Sequence, residues 1–194
     1  MVTKISSTNE DWEIILSPVD GGSIVGTRVF KGEYPHFAFA NQGVVYLKDD
    51  DVYYYNIANK TDIKIVDFDV KTRKDTVIEL SYSDEREITI VKVSSLNEKT
   101  LFPETNLYLY QLNLGEGSIE ANLVSHLRLN DALARSAVLS PGGQYLAMTL
   151  TETNLGRSPR VLIFDIISGI IKKEIPLEPF RSDFMFLDTW SLFN

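Results

Sequence analysis

A strand pattern that recurs at nearly constant spacing limits the fold of this chain more than any other feature of its sequence. Each copy is an apolar run that ends in an aromatic residue and is followed by a polar residue and then Ile or Leu. The copies are 52–57, 107–112 and 161–166. The aromatic residues Tyr55 and Tyr110 are 55 positions apart, and Tyr110 and Phe164 are 54 apart. Near-equal spacing of one strand type predicts repeated structural units that pack against one another.

Further strands and turns surround each copy. A turn rich in Gly, Asn or Ser follows it, and another run of β-branched or aromatic residues comes after the turn. A second pattern agrees, because 135–140 (Arg-Ser-Ala-Val-Leu-Ser) is echoed 46 positions later by 181–186 (Arg-Ser-Asp-Phe-Met-Phe). Four antiparallel strands about every 50 residues are typical of a β-propeller blade. The sequence therefore predicts an all-β, propeller-like fold.

Counting strands gives the predicted organisation. We expect a single propeller-like domain over 1–194, with blades at approximately 34–68, 76–127 and 134–177 and partial blades at 12–30 and 181–194. The end strands could pair and close a small four-bladed ring, or the chain could be a fragment of a larger propeller. The fragment is slightly favoured, because an exposed apolar end is unusual in a finished domain. One stretch with helical spacing, 127–137, is predicted to be a single helical turn or a loop.

One segment resembles a known repeat. Residues 139–148 read Leu-Ser-Pro-Gly-Gly-Gln-Tyr-Leu-Ala-Met, similar to the Phe-Ser-Pro-Asp-Gly-Lys-x-Leu-Ala-Phe repeat of TolB-type and WD-repeat-like propellers. Residues 161–169 resemble the third strand of that repeat and its following turn. The resemblance implies that the Ser-Pro-Gly-Gly turn joins the first and second strands of a blade. It implies a fold rather than an activity, because propellers serve as binding modules, peptidase gates and enzymes alike.

Composition narrows the classes of function. The net charge of −8 and the pI near 4.8 argue against broad electrostatic binding of nucleic acid. The short basic cluster Lys71, Arg73 and Lys74 is predicted to be a solvated turn. The absence of cysteine excludes disulfides, thiolate metal sites and cysteine nucleophiles. No signal peptide or membrane-spanning apolar run is visible, so a cytoplasmic location is the default expectation.

Few residues suggest chemistry. The two histidines, His36 and His126, stand in no recognisable motif, and we expect structural or surface roles for both. The carboxylates of 49–51 could bind a hard cation, but a hairpin turn between two strong strands is favoured, as is a turn at Asp67 and Asp69. We therefore predict no catalytic residue, no bound metal and no cofactor.

The leading functional prediction is a non-catalytic scaffold that mediates protein–protein interaction. The longest predicted loops, 94–106 and 151–160, both join second and third strands and should lie on one face, where binding residues usually occur. The candidate partner-binding residues are Lys99, Phe102, Glu104, Asn154 and Arg157. The alternative is a propeller segment of a larger enzyme, such as the substrate-gating domain of a prolyl-oligopeptidase-type serine peptidase. In that case the catalytic residues lie outside this chain.

Overall fold

The repeated strand pattern is reflected directly in the architecture. The computed structural model describes residues 2–6, 12–16, 28–68, 77–96, 103–116, 118–130, 132–152 and 159–177. Within these ranges the chain forms fifteen β-strands and no helix. The predicted all-β class is confirmed.

The strands of the first half, as far as it is described, are β1 (Val2–Ser6), β2 (Trp12–Leu16), β3 (Arg28–Lys31), β4 (Glu33–Ala38), β5 (Gly43–Lys48), β6 (Asp51–Asn56) and β7 (Thr61–Val66). The remaining described strands are β8 (Val77–Ser83), β9 (Ile88–Leu96), β10 (Pro103–Leu114), β11 (Ile119–Asn130), β12 (Ala132–Leu139), β13 (Tyr145–Glu152), β14 (Arg160–Asp165) and β15 (Ile170–Pro176).

These strands form antiparallel sheets in sequence order. Three sheets have four strands each, β4 to β7, β8 to β11 and β12 to β15, and a fourth has three, β1 to β3. The four-stranded antiparallel unit predicted from the repeat is therefore present three times. The N-terminal sheet also contains a strand that was not predicted, β1, which pairs with β2 along its whole length. The predicted partial blade at 181–194 lies outside the described residues.

The chain divides into two compact units. Unit 1 consists of Met1–Asp69 and Leu114–Glu120, and unit 2 of Val70–Asn113 and Ala121–Asn194. In unit 1 the described core cluster consists of Ile14, Val44, Tyr46 and Tyr55. In unit 2 apolar side chains of the β8–β11 and β12–β15 sheets pack face to face, as in other stacked sheets. The buried members of that cluster are Ile88, Ile90, Leu107, Leu109, Ala134, Ala137, Leu139, Leu146, Met148, Leu150 and Leu162.

The three aromatic residues of the repeat occupy equivalent positions. Tyr55, Tyr110 and Phe164 all lie on the third strand of a four-stranded sheet. Their partners on the second strand are Val44, Thr89 and Leu146, in each case the second residue of that strand. Tyr55 is buried, with 2% of its surface exposed, whereas Tyr110 and Phe164 are half-buried. The spacing in the sequence therefore reflects a true structural repeat.

In the first and third copies the polar residue after the aromatic residue stabilises the adjoining turn. The Asn56 Oδ1 atom accepts a hydrogen bond from the Asn59 amide at 2.9 Å. The Asp165 Oδ1 atom accepts hydrogen bonds from the Ile167 and Ser168 amides, both at 3.0 Å. Hydrogen bonds from the backbone, with that of Ser168 the strongest, lower the pKa of Asp165. Turn formation thus explains Asn56 and Asp165, whereas Gln111 of the second copy donates a hydrogen bond to the Arg86 carbonyl oxygen, between β8 and β9, at 2.8 Å.

One local prediction was wrong. The segment 127–137 is neither a helical turn nor a loop, because β11 continues to Asn130 and β12 begins at Ala132. Leu127 and Leu129 pack against the unit 2 cluster from alternate positions of β11. Pairing with neighbouring strands and burial of these leucines outweigh the local helical spacing.

Substitution of Tyr55 by alanine is expected to destabilise the protein by about 3–5 kcal/mol, because it removes a fully buried ring and leaves a cavity. Urea denaturation followed by fluorescence measures the free energy of unfolding. Ile57→Ala is the control, since Ile57 is 37% exposed and its truncation should cost less than about 1 kcal/mol. If Tyr55→Ala lowered the free energy of unfolding no more than Ile57→Ala does, the buried position of Tyr55 would be contradicted.

Gly43 begins β5, where the ring of Tyr54 covers its backbone. A Cβ atom at this position would overlap the Tyr54 ring at Cε2. Gly43→Ala should therefore cost about 1–3 kcal/mol in urea denaturation. In a variant that already carries Tyr54→Ala, the Gly43→Ala substitution should cost far less. The double variant should therefore lose less unfolding free energy than the sum of the two single variants. Gly142→Ala is the control, because its Cβ would meet only the flexible Glu85 side chain at 3.3 Å.

Candidate functional site

The strand ends that flank the connections between second and third strands lie at the same end of unit 2. One connection runs from Leu96 to Pro103 and the other from Glu152 to Arg160. Both join second and third strands, as predicted, but both are shorter than predicted because strand pairing continues further along the chain. We call this end of unit 2, with the bases of the two connections, the loop end.

Of the five predicted partner-binding residues, the structure describes only Glu104. Lys99, Phe102, Asn154 and Arg157 lie outside the described residues. Glu104 is on strand β10 rather than in a loop, and only 8% of its surface is exposed. Its role in partner binding stays a prediction, but its position marks the base of the connection between β9 and β10.

Glu104 belongs to a chain of side-chain contacts that we call the β10–β11 array: Glu104, Asn106, Tyr108, His126 and Arg128. Glu104 accepts hydrogen bonds from Arg128 at 2.6 Å and from Asn106 Nδ2 at 3.0 Å. The Asn106 Oδ1 atom lies 2.9 Å from His126 Nε2. The His126 ring stacks on Tyr108 with 4.5 Å between ring centroids and 3° between ring planes. Each member is thus held by its neighbours.

The ion pair in this array has counterparts in the other four-stranded sheets. Near the start of each third strand, a charged residue pairs with an opposite charge on the fourth strand. The pairs are Asp51–Lys64 at 3.3 Å, Glu104–Arg128 at 2.6 Å and Arg160–Glu174 at 3.0 Å. Asp51, Glu104 and Arg160 are all buried. A cross-strand charge pair therefore recurs at the same end of each sheet, although the sign is reversed in the last one.

Beneath the loop end lies a buried lysine, Lys92, on strand β9. Its ammonium group donates hydrogen bonds to the carbonyl oxygens of Ala134 at 2.9 Å and Arg135 at 3.0 Å. It also forms an ion pair with Glu79 at 2.8 Å. All three donors of the ammonium group thus have acceptors. Burial lowers the pKa of Lys92, and the nearby Glu79 carboxylate opposes that shift.

Hydroxyl groups complete the contact between the two sheets of unit 2. Thr105 Oγ1 accepts a hydrogen bond from the Ala134 amide at 3.1 Å, and Ser81 Oγ accepts one from the Leu139 amide at 3.0 Å. Ala134 and Leu139 lie on β12, the edge strand of its own sheet. Side chains of the β8–β11 sheet therefore satisfy backbone groups that β12 cannot pair within its own sheet.

The exposed members of the array determine what the loop end can bind. Arg128 is 53% exposed at its side chain, and His126 is exposed as well. A guanidinium group offers several N–H donors in one plane, which suits carboxylates and carbonyl oxygens. The loop end can therefore bind acceptor groups of a partner chain on a base fixed by buried contacts.

The other sequence candidates have structural roles where they are described. Asp49 and Asp50 form the predicted hairpin turn, with φ angles of 51° and 68° that are typical of a type I′ turn. Asp51 accepts a hydrogen bond from the Phe68 amide at 2.9 Å. Over the described ranges, no cluster of His, Asp and Glu is arranged to hold a metal ion. A membrane-spanning helix is likewise not found in the part of the chain that the structure describes.

Sequence reasoning missed Lys92 and Arg128. A lysine in the otherwise apolar or hydroxyl-bearing run Ile88–Leu96 was a usable signal, because a charge inside a buried strand requires partners. Arg128 gave no comparable signal. Its importance depends on Glu104, which is 24 positions away in sequence.

Comparison with known proteins supports the fold and little beyond it. No family model matches the sequence, and no curated protein matches it. Among solved structures, a crystal structure of Porphyromonas gingivalis dipeptidyl peptidase 4 is similar, with a TM-score of 0.55 and 12% sequence identity. The match covers 91% of this chain but 31% of that chain. The likeness fits a propeller-like fold, and the finer resemblance to TolB-type and WD-repeat-like propellers stays a prediction.

Lys92→Ala is expected to cost about 3–5 kcal/mol of unfolding free energy, because it leaves Glu79 and two carbonyl oxygens without their buried partner. Lys92→Met should cost less, since it retains the apolar volume. Lys173→Ala on the exposed strand β15 is the matched control and should change stability by less than about 0.5 kcal/mol. If Lys92→Ala lowered the free energy of unfolding by less than about 0.5 kcal/mol, these contacts would not stabilise the fold as expected.

The lowered pKa of Lys92 also gives a pH dependence of known sign. Between that pKa and the ordinary value of 10.5, the unfolded state binds more protons than the folded state. The free energy of unfolding should therefore rise with pH in this window, relative to a variant without the group. Urea denaturation of the wild type and Lys92→Met at pH 7 and pH 10 measures the difference. If the wild type lost stability relative to Lys92→Met between pH 7 and pH 10, the predicted sign of the pH dependence would be wrong.

Proposed function

We propose that this chain is a non-catalytic β-propeller segment that binds a protein or peptide partner at the loop end of unit 2. The observation that carries the proposal is the β10–β11 array at the base of the connection between β9 and β10. It presents the exposed side chains of His126 and Arg128 on residues that are otherwise buried or held by neighbours.

The rigidity of the base supports a binding role. Buried Lys92 and Thr105 hold strand β12 against the β8–β11 sheet near the described ends of strands β9 and β10. A recognition site needs side chains held in place by their surroundings, and loops on a fixed scaffold are a common solution. The two connections carry Lys99 and Arg157 in sequence.

The chemistry of the array suggests the kind of partner. Arg128 and His126 can donate hydrogen bonds, while Glu104 already neutralises part of the local positive charge. We infer a peptide or loop that presents a carboxylate, from Asp, Glu or a chain terminus, beside backbone carbonyl groups. Arg128 would pair with that carboxylate, and the His126–Tyr108 stack would contact an adjoining apolar or planar side chain.

A second candidate function follows from the structural comparison. The similar solved structure is a dipeptidyl peptidase 4, and this chain corresponds to less than a third of it. We therefore keep the alternative of a substrate-gating segment within a larger prolyl-oligopeptidase-type peptidase. The parent reading frame distinguishes the two, because the peptidase alternative requires a hydrolase domain with a Gly-x-Ser-x-Gly nucleophile motif.

Selection of peptides from a random displayed library on the purified chain tests the binding proposal. The enriched peptides should carry Asp, Glu or a free carboxyl terminus. Arg128→Ala should weaken their binding about tenfold or more, as expected for loss of a charge-assisted contact. Fluorescence anisotropy with a labelled selected peptide gives the dissociation constants.

Lys173→Ala, an exposed cation on strand β15, is the control and should leave peptide affinity unchanged. Circular dichroism must show that both variants stay folded. Peptides that bind Arg128→Ala as tightly as the wild type would place binding elsewhere, and a library that yields no enriched peptide would count against the proposal.

A further inference from the structure

Strand β11 is the edge of its sheet and is long for an edge strand. It runs for 12 residues, Ile119–Asn130, with only β10 as its neighbour within the described sheet. Leu123 and Val124 at its centre are 55% and 60% exposed. Ala121 to Ser125 contains no charged residue. An exposed edge of this length with an uncharged centre offers a row of backbone donors and acceptors to another strand.

The fourth strands of the other two sheets differ from β11. Strand β7 is half as long, at 6 residues, and carries Asp62 and Lys64. Strand β15 carries Lys172 and Lys173 and ends at Pro176. Charges and proline on an edge strand oppose its pairing with another chain. The centre of β11 lacks these features, so among the three fourth strands β11 is the edge best suited to pair with another strand.

We propose that β11 pairs with β11 of a second copy of this chain, antiparallel and centred on Val124. The two β8–β11 sheets would then form one continuous sheet across a two-fold axis. A two-fold interface brings the same surface of both copies together, so β11 must be complementary to itself. The pairing depends on the backbone edge and does not require the proposed function at the loop end, although both proposals use the exposed side chain of Arg128.

The charges of β11 favour this centre. With Val124 opposite Val124 of the partner subunit, Glu120 lies opposite Arg128 of the partner subunit, and the same pair forms again by symmetry. Glu120 and Arg128 are both exposed in the single chain. The same register sets Asn122 opposite His126 of the partner subunit. Opposite charges on facing residues stabilise antiparallel pairs.

Neighbouring registers lose this complementarity. Centring the pair on Ser125 places Glu120 opposite Asn130 of the partner subunit and Arg128 opposite Asn122 of the partner subunit. Centring the pair on Leu123 places Glu120 opposite His126 of the partner subunit. Arg128 then lies opposite an uncharged residue of the partner subunit. Only the Val124-centred register matches both charges of the strand segment 120–128 with opposite charges.

Cysteine cross-linking tests the register directly, because the chain contains no cysteine. In Val124→Cys the two introduced side chains face each other across the axis, at a separation that a disulfide can span. The purified variant should form a covalent dimer under mild oxidation, seen on non-reducing gels. Ile171→Cys, at a 51% exposed position on strand β15, is the matched control and should stay monomeric. Equal cross-linking of both variants would overturn the proposal.

Sedimentation equilibrium of the full chain gives an independent result. The wild type should show a reversible monomer–dimer equilibrium between about 10 and 200 µM, the weak range typical of small interfaces. Val124→Lys sets two like charges opposite each other and should raise the dissociation constant about tenfold or more. Because Val124 is exposed, this variant should keep the wild-type circular dichroism spectrum. A wild type that is monomeric throughout this range would overturn the proposal.

Discussion

The structure of unit 2 depends on how the edge of strand β12 is satisfied. Ala134, Ala137 and Leu139 of strand β12 are buried although β12 is the edge strand of its sheet, so backbone groups there that face away from β13 have no partner within that sheet. Lys92, Thr105 and Ser81 of the neighbouring sheet supply the missing hydrogen bonds. A buried backbone group without a partner would be costly, so these side chains fix where the two sheets meet.

This arrangement separates an apolar region from a polar one. Ile90, Leu109 and Met148 belong to the apolar cluster between the sheets, while Lys92 and Thr105 lie toward the loop end. The connections between second and third strands thus start from a base held by directional contacts. The β10–β11 array extends that base to the surface, where Arg128 and His126 become exposed. Positioning of these side chains is therefore a consequence of the buried contacts.

The sequence predicted features that depend on local periodicity and on the repeat. Tyr55, Tyr110 and Phe164 could be assigned to equivalent third strands because alternation and spacing are visible in one dimension. The segment 127–137 could not be assigned to strands in this way, because its strand character comes from pairing with distant strands. The partners of Lys92 and Arg128 were hidden for the same reason. They lie 24 or more positions away in sequence, apart from Glu79, which faces Lys92 across the hairpin.

Native-state hydrogen exchange of the β12 amides tests the central claim most directly. If side chains of the neighbouring sheet satisfy β12, the Ala134 and Leu139 amides should be protected as strongly as ladder amides of the buried strands β9 and β10. Thr105→Val should abolish protection at Ala134 while leaving Leu139, bonded to Ser81, protected. Exchange of both wild-type amides as fast as that of the exposed edge strand β15 would contradict the account.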